Sequence, residues 1–145
     1  LKTPSDARDL ICVALAGRAA ERLEYGEASS GISSDLAAAT TIASQLVGQL
    51  GNGPGLLSLE AASMPTAANL VAKVLADEQS RDAAEVYMTE GAERAELMVT
   101  RYRVALHEIA DLLCEQDEVE GDKIRAIVAR HTDISERRGP VRIKA

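Results

Sequence analysis

The sequence has almost no aromatic side chains. Its 145 residues include no Phe and no Trp, and the three aromatic residues are Tyr25, Tyr87 and Tyr102. Ala, Leu and Val must therefore fill the core, and alanine-rich packing favours helices because Ala loses no side-chain entropy in a helix. Strand-forming residues are scarce, and no alternating apolar and polar run of useful length is present. These absences predict an all-α protein.

Long hydrophobic runs and an excess of positive charge are also missing. The longest apolar stretch, Ile11 to Gly17, is far shorter than the roughly 20 residues that a membrane-spanning helix needs. The formal net charge is −7 and the sequence pI is about 4.9, so the chain repels phosphate backbones and we expect no nucleic-acid partner. A small basic cluster near the end is expected to be a solvated tail. It consists of Arg137, Arg138, Arg142 and Lys144.

Cysteine is scarce as well. Cys12 and Cys114 lie far apart and lack the C-x-x-C spacing of a zinc site. Both fall on apolar faces of predicted helices. We therefore expect two free, buried cysteines in a reducing compartment.

The first predicted helix has a clear start. Thr3 can cap it, Pro4 suits the first helical position, and Asp6 completes a capping-box-like pair, with the helix running to about Leu23. Its predicted apolar stripe has three-to-four-residue spacing, and the small residues in it are expected to let another helix approach closely. The stripe comprises Leu10, Val13 or Ala14, Gly17 and Ala20.

The second predicted helix follows a loop over residues 25–34 that is rich in Gly and Ser. Ser33 or Ser34 is expected to cap it. The segment 51–55 ends it, and residues 56–59 are expected to form either an extended segment or a plug over the core. The predicted apolar stripe is Leu36, Ala39, Ala43, Leu46 or Val47, and Leu50.

The second half of the chain predicts further helices. A short helix is expected from Thr66 to about Leu75, then a break near Asp77 and a long helical segment with a kink near Thr100. An apolar seam marks a helical hairpin or a coiled-coil-like pair. The seam comprises Ala84, Tyr87, Gly91, Ala95, Met98, Tyr102, Ala105, Ile109 and Leu112.

A final helix is expected after a break at Gly121, with Asp122 opening it. The predicted fold is an all-α helical bundle with a long C-terminal helical hairpin and at most a short extended segment near residues 55–59. We expect one domain over residues 1–132 and a loose basic tail over residues 133–145.

The most specific pattern lies between the first two helices. Residues 15–21 read L-A-G-R-A-A-E, residues 25–36 read Y-G-E-A-S-S-G-I-S-S-D-L, and A-T follows at 39–40. This pattern resembles the FtsH-type family of ATP-dependent zinc peptidases, in which an L-A-G-R-A-A-E helix leads through F-G-x-x-S-T-G-A-x-N-D-L into a helix with an A-T pair. The departures in the loop are conservative: Ser for Thr at 30, Ile for Ala at 32 and Ser for Asn at 34.

The resemblance extends beyond this pattern. It continues through residues 55–59, fades across 60–80, and returns weakly over 94–112 and 119–124. It is therefore strong over residues 9–60 and moderate beyond them.

The resemblance implies a role for one carboxylate. In the family, the Asp of the N-D-L step is the third protein ligand of a catalytic zinc, and that position is Asp35 here. An Asp oxygen binds Zn²⁺ at about 2.0–2.2 Å, and a ligand at the start of a helix is held rigidly. The alternative is that Asp35 only complements the helix dipole, a contribution of roughly 0.3–1 kcal/mol. The family pattern on both sides favours the zinc ligand.

The other metal ligands of the family come from a helical H-E-x-x-H motif, which this sequence lacks. The two histidines are His107 and His131, and the segment beginning His107-Glu108 has Asp111 where a second His would stand. We therefore expect no metal site there. The resemblance implies that H-E-x-x-H lies upstream of Leu1, with an AAA+ module that binds ATP before it.

The resemblance also implies a function. The parent protein would be an ATP-dependent zinc endopeptidase that degrades unfolded or membrane proteins. It would form a homohexamer, with this part on the cytoplasmic side of a membrane-anchored bacterial protein. This segment would supply Asp35 and oligomerising helices but no catalytic residue, and would be inactive alone because a catalytic zinc needs three protein ligands. The alternative is a non-catalytic helical oligomerisation module of a degenerate family member.

Overall fold

The computed structural model describes residues 3–60 and 69–136, with side chains described as far as residue 132. In these ranges every regular element is helical, and no strand occurs, so the all-α prediction is confirmed. The start of the helix predicted from Thr66 lies outside the described residues. The elements are α1 (Pro4–Tyr25), a 3₁₀ turn (Ser30–Ile32), α2 (Ser33–Gly48), α3 (Leu70–Ala76), α4 (Glu78–Arg101), α5 (Arg103–Gln116) and α6 (Gly121–Glu136).

The predicted start of α1 is confirmed in detail. The Thr3 hydroxyl accepts a hydrogen bond from the Asp6 N–H at 3.2 Å, and the Asp6 carboxylate accepts one from the Thr3 N–H at 2.8 Å. Pro4 occupies the first helical position. At the other end Gly26 has φ 82°, a left-handed conformation that glycine adopts without strain.

The predicted buried face of α1 is wrong. Val13 is 69% exposed and Gly17 is exposed, and none of the predicted stripe residues is among the fully buried residues of the helix. Apolar residues recur at helical spacing on both sides of this alanine-rich helix, so periodicity alone does not select between them. The buried face consists of Ala7, Ile11, Leu15 and Ala19.

The predicted cap of α2 is also wrong. Neither Ser33 nor Ser34 caps the helix, because α2 continues directly from the 3₁₀ turn and has Ile32 at its N-cap with no side-chain cap. The capping serine is instead Ser29, whose hydroxyl accepts a hydrogen bond from the Gly31 N–H at 3.2 Å at the start of the turn. Most of the predicted stripe is buried, although Leu36 and Leu50 are partly exposed. The buried members are Ala39, Ala43, Leu46 and Val47.

The segment after α2, predicted to be extended or a plug over the core, contains no strand, and only its last residue, Leu59, is half-buried. Leu56 and Leu57 are 93% and 82% exposed, so they do not cover the core. The segment is anchored at its end, where the Leu59 N–H donates to the Gly48 carbonyl at 2.8 Å and the Lys73 ammonium donates to the Leu59 carbonyl at 3.0 Å.

Helix α4 begins after the predicted break at Asp77, whose carboxylate accepts a hydrogen bond from the Ser80 N–H at 2.9 Å. Ala84, Gly91 and Ala95 of the predicted seam are buried. At Gly91 the helix passes so close to Ile11 of α1 that an added Cβ would stand 2.5 Å from the Ile11 Cγ2. Small residues therefore set the distance between α1 and α4.

Polar contacts flank this close approach. Arg94 pairs with Asp9 at 2.6 Å, and Arg22 pairs with Glu96 at 3.4 Å. These pairs are partly exposed, so each contributes only about 0–1 kcal/mol. Packing of the small residues is therefore the larger contribution.

The chain divides into two compact units, residues 1–96 and residues 97 onward. The second unit contains a helical hairpin, formed by α5 and α6 around buried Ala105 and Ile127, whereas the seam predicted for a hairpin lies on α4 and α5. The predicted kink is found at Tyr102, between α4 and α5, and α6 begins at Gly121, one residue before the predicted start at Asp122.

Both cysteines are free, as predicted, but their predicted burial is wrong. Cys12 is half-buried and Cys114 is exposed on α5. Among the described helices, none combines the length and the apolar composition needed to cross a bilayer.

Candidate functional site

Asp35 lies in the first turn of α2 with an exposed side chain. Its carboxylate faces α1 at Gly17, where an added Cβ would stand 3.8 Å from the Asp35 Oδ2. Within the described part of the chain, no hydrogen bond or ion pair engages this carboxylate. The Asp35 carboxylate is therefore exposed at the start of α2, beside α1, and has no partner among the described residues.

The loop that leads to Asp35 is tied to α1 by Glu21. One carboxylate oxygen of Glu21 accepts a hydrogen bond from the Ser29 N–H, and the other accepts one from the Ser29 hydroxyl at 3.2 Å. Sequence reasoning did not single out this contact. The available signal was that both residues belong to the motif that carries the family resemblance, Glu21 at the end of L-A-G-R-A-A-E and Ser29 in the loop.

The residues present fit one ligand of a zinc site and not a whole site. Among the described residues, no group of three or more His, Cys, Asp or Glu side chains could hold a metal ion. A catalytic zinc needs three protein ligands and one open position. The unpaired Asp35 carboxylate suits one of these positions, and the remaining ligands would have to come from residues other than those described here.

The segment that superficially resembles H-E-x-x-H has a structural contact instead. Glu108 lies on α5 and reaches α6, where its carboxylate accepts a hydrogen bond from Arg130 and pairs with the His131 Nε2 at 3.0 Å. His107, the residue before it, is exposed. The sequence therefore brings Glu108 to the α5–α6 contact of the second unit, while Asp35 lies in the first unit.

This contact predicts a pH-dependent stability of the α5–α6 hairpin. The hydrogen bonds from His131 and then Arg130 lower the pKa of Glu108 below its ordinary value of 4.5. Because the pKa is lower in the folded state than in the unfolded state, the contact stabilises the hairpin above the unfolded-state pKa. That stabilisation is lost as the pH falls through the lowered value.

We therefore expect Glu108→Gln to reduce hairpin stability at neutral pH and to have little effect in acid. The difference in free energy of unfolding between wild type and variant can be measured by urea unfolding over a pH series. Amide exchange in α5 and α6 then locates the effect in the hairpin. Glu115→Gln, an exposed change on the same helix, is the matched control. A difference between wild type and Glu108→Gln that stays constant down to about pH 3 would contradict the assignment.

A groove of about 560 Å³ lies between α1, α2 and α4 in the first unit. Leu36 lines it, but its neighbour Asp35 does not. The charged lining includes Arg22 and Glu96, which pair with each other. The groove is therefore separate from the unpaired carboxylate and contains no metal-binding cluster of described residues.

Comparison with known proteins identifies the family. The sequence model of peptidase family M41 matches residues 2–127. The ATP-dependent zinc metalloprotease FtsH of Methylococcus capsulatus is 33% identical over 141 residues, which cover 88% of this chain and 21% of the relative. The FtsH of Acidothermus cellulolyticus is 35% identical over 138 residues, covering 90% of this chain and 21% of that protein. The FtsH of Thermotoga maritima is 29% identical over 142 residues, covering 89% and 22%.

The chain thus spans about a fifth of the length of the curated relatives that it matches. The family match covers all of α1 to α5, including the loop and Asp35. The resemblance seen in the sequence motif is confirmed. This chain belongs to peptidase family M41.

Proposed function

We propose that this chain is part of the peptidase domain of an ATP-dependent zinc endopeptidase and that Asp35 is one of the three protein ligands of its zinc. The observation that carries the proposal is the unpaired carboxylate of Asp35, held at the start of α2 and facing Gly17. Two other aspartates at helix starts, Asp6 and Asp77, each accept a hydrogen bond from a nearby backbone N–H. Asp35 has none among the described residues.

In such a site, this chain would contribute a side chain that binds the zinc and a backbone that orients that side chain. Asp35 would be one of the residues that hold zinc, and the bound metal would supply Lewis-acid chemistry toward the scissile carbonyl and toward a water molecule. Asp35 would bind the metal from the first turn of α2. Because Gly17 has no side chain, α1 leaves space beside the Asp35 carboxylate. Exposed Val13, one turn before Gly17, would extend the surface available to a helix that carries the other ligands.

The remaining parts of the proposed enzyme lie in other segments of the full-length protein. Two His ligands and a general-base Glu would come from an H-E-x-x-H helix, and ATP would be bound by a separate domain. We propose that the assembly is a homohexamer, anchored in a bacterial membrane with this part on the cytoplasmic side, and that its substrates are unfolded or membrane proteins. The FtsH relatives carry ATP dependence and zinc in their names, which supports this proposal. The segment of residues 1–145 would be inactive alone.

The experiment is metal analysis of the full-length protein and of the segment 1–145, side by side. We expect about one tightly bound zinc per full-length chain, since three protein ligands complete the site. We expect no tightly bound zinc on the segment. A chelator should remove the metal and the peptidase activity together. A full-length protein with H-E-x-x-H but no zinc would contradict the proposal, and one without that motif would favour the non-catalytic oligomerisation module.

A further inference from the structure

We infer that Glu21 is a positioning residue for the metal ligand: its carboxylate fixes the loop between α1 and α2 and thereby fixes where Asp35 begins α2. The inference rests on the proposed function, because it assigns Glu21 a role through Asp35. It concerns a residue whose contacts lie entirely within the described chain.

Both oxygens of Glu21 are engaged by one loop residue. The Ser29 N–H donates to Oε2 and the Ser29 hydroxyl donates to Oε1 at 3.2 Å. Hydrogen bonds to an ionised carboxylate are roughly twice as strong as those between neutral groups. Glu21 therefore anchors the loop to α1 through two hydrogen bonds, both from Ser29, which lies eight residues after it in the sequence.

The anchored residue controls the start of α2. The Ser29 hydroxyl also accepts from the Gly31 N–H, which caps the 3₁₀ turn of residues 30–32. That turn runs without a break into α2, because its last residue, Ile32, is the N-cap of the helix. A displacement of Ser29 is therefore carried by a short rigid turn to Asp35.

The start of α2 has no side-chain cap of its own. The N-cap of α2 has no side-chain hydrogen bond, so Ser33 and Ser34 do not fix it. The two hydrogen bonds from Ser29 to Glu21 tie α1 to the loop ahead of Asp35.

The same geometry separates Glu21 from the metal-binding role. A zinc ligand needs a free oxygen directed at the metal, and both oxygens of Glu21 are directed at Ser29. The carboxylate of Asp35 has no partner among the described residues. Of these two acidic residues in the motif, Asp35 would bind the zinc, and Glu21 would hold the loop that positions Asp35.

The test combines zinc affinity of the full-length protein with amide exchange in the loop. Glu21→Ala is expected to weaken zinc binding by about 10–100-fold, the usual effect of losing a residue that orients a ligand. It should also speed exchange of the Ser29 and Gly31 amides. Glu21→Gln keeps an oxygen for the Ser29 N–H, so it should retain more affinity than Glu21→Ala. Glu27→Gln, an exposed change in the same loop, is the matched control and should resemble wild type.

A double-mutant cycle with Ser29→Ala adds a readout that general destabilisation would not produce. If Glu21 acts through Ser29, the losses in zinc affinity from Glu21→Ala and Ser29→Ala are not additive. Additive losses would overturn the inference, as would a Glu21→Ala variant with wild-type affinity. Equal losses in Glu21→Gln and Glu21→Ala with slow Ser29 exchange would also overturn it, because they indicate direct ligation. Unchanged zinc binding in Asp35→Ala would instead reject the proposed function, while loop exchange in Glu21→Ala still tests the anchor.

Discussion

Replacing Asp35 with alanine is expected to remove most of the zinc from the full-length protein while leaving the helices folded. A site with three protein ligands that loses one of them no longer holds the metal tightly or lowers the pKa of its water. Peptidase activity should fall with the metal content. The fold should survive because the side chain is exposed and makes no hydrogen bond within the described residues.

The measurement is zinc content by atomic absorption, together with peptidase activity and the far-ultraviolet circular dichroism of the same preparations. Ser34→Ala, an exposed change one residue earlier, is the matched control and should retain metal. If Asp35 only complements the dipole of α2, the variant would instead lose about 0.3–1 kcal/mol of stability and keep its zinc. Unchanged zinc content would therefore contradict the ligand assignment and favour the dipole role.

Features with local causes were the ones that the sequence predicted well. The capping box at Thr3 and Asp6, the break at Asp77 and the start of α6 within one residue of Asp122 each depend on residues within one turn of the helix end. The sequence alone contains all the information for such features, because each capping residue and its hydrogen-bond partner lie within a few positions of one another. The helices that they delimit are accordingly close to their predicted bounds.

Features that depend on distant partners were predicted poorly. The wrong face of α1 was expected to be buried because Val13 and Ile11 both fall on apolar stripes, and only the approach of α2 and α4 selects the stripe with Ile11. The caps at α2 were wrong for a similar reason. The serine that caps the turn ahead of α2 is Ser29 and not Ser33, and Ser29 also bonds to Glu21 on α1, a contact with a distant partner.

The candidate site could be predicted only through the motif. Spacing alone does not distinguish a metal-binding Asp35 from an ordinary acidic residue in the first turn of a helix. The structure adds that this carboxylate is unpaired among the described residues and faces Gly17. It adds no second ligand, because the described residues contain no group of three or more His, Cys, Asp or Glu that could hold a metal ion.

Changing Gly91 to alanine is expected to destabilise the first unit by about 1–2 kcal/mol, although alanine is the better helix former. The added Cβ would stand 2.5 Å from the Ile11 Cγ2 and 3.4 Å from its Cβ, closer than van der Waals contact allows. Ile11 is fully buried, and its Cγ2 is bonded directly to its Cβ. A change of side-chain rotamer therefore has no free space into which to move this methyl group. Helices α1 and α4 would have to separate, and the Ala84 and Ala95 contacts of α4 would loosen with them.

Gly17→Ala is the matched control for this change, because it makes the same substitution inside a helix with room for the new methyl group. Its nearest neighbour would be the Asp35 Oδ2 at 3.8 Å, an ordinary contact, so the variant should gain up to about 1 kcal/mol from helix propensity. Urea unfolding of the two variants should then give changes of opposite sign. A gain in stability at both positions would mean that α1 and α4 do not approach as closely as described. Opposite signs would identify Gly91 as the residue that permits their contact.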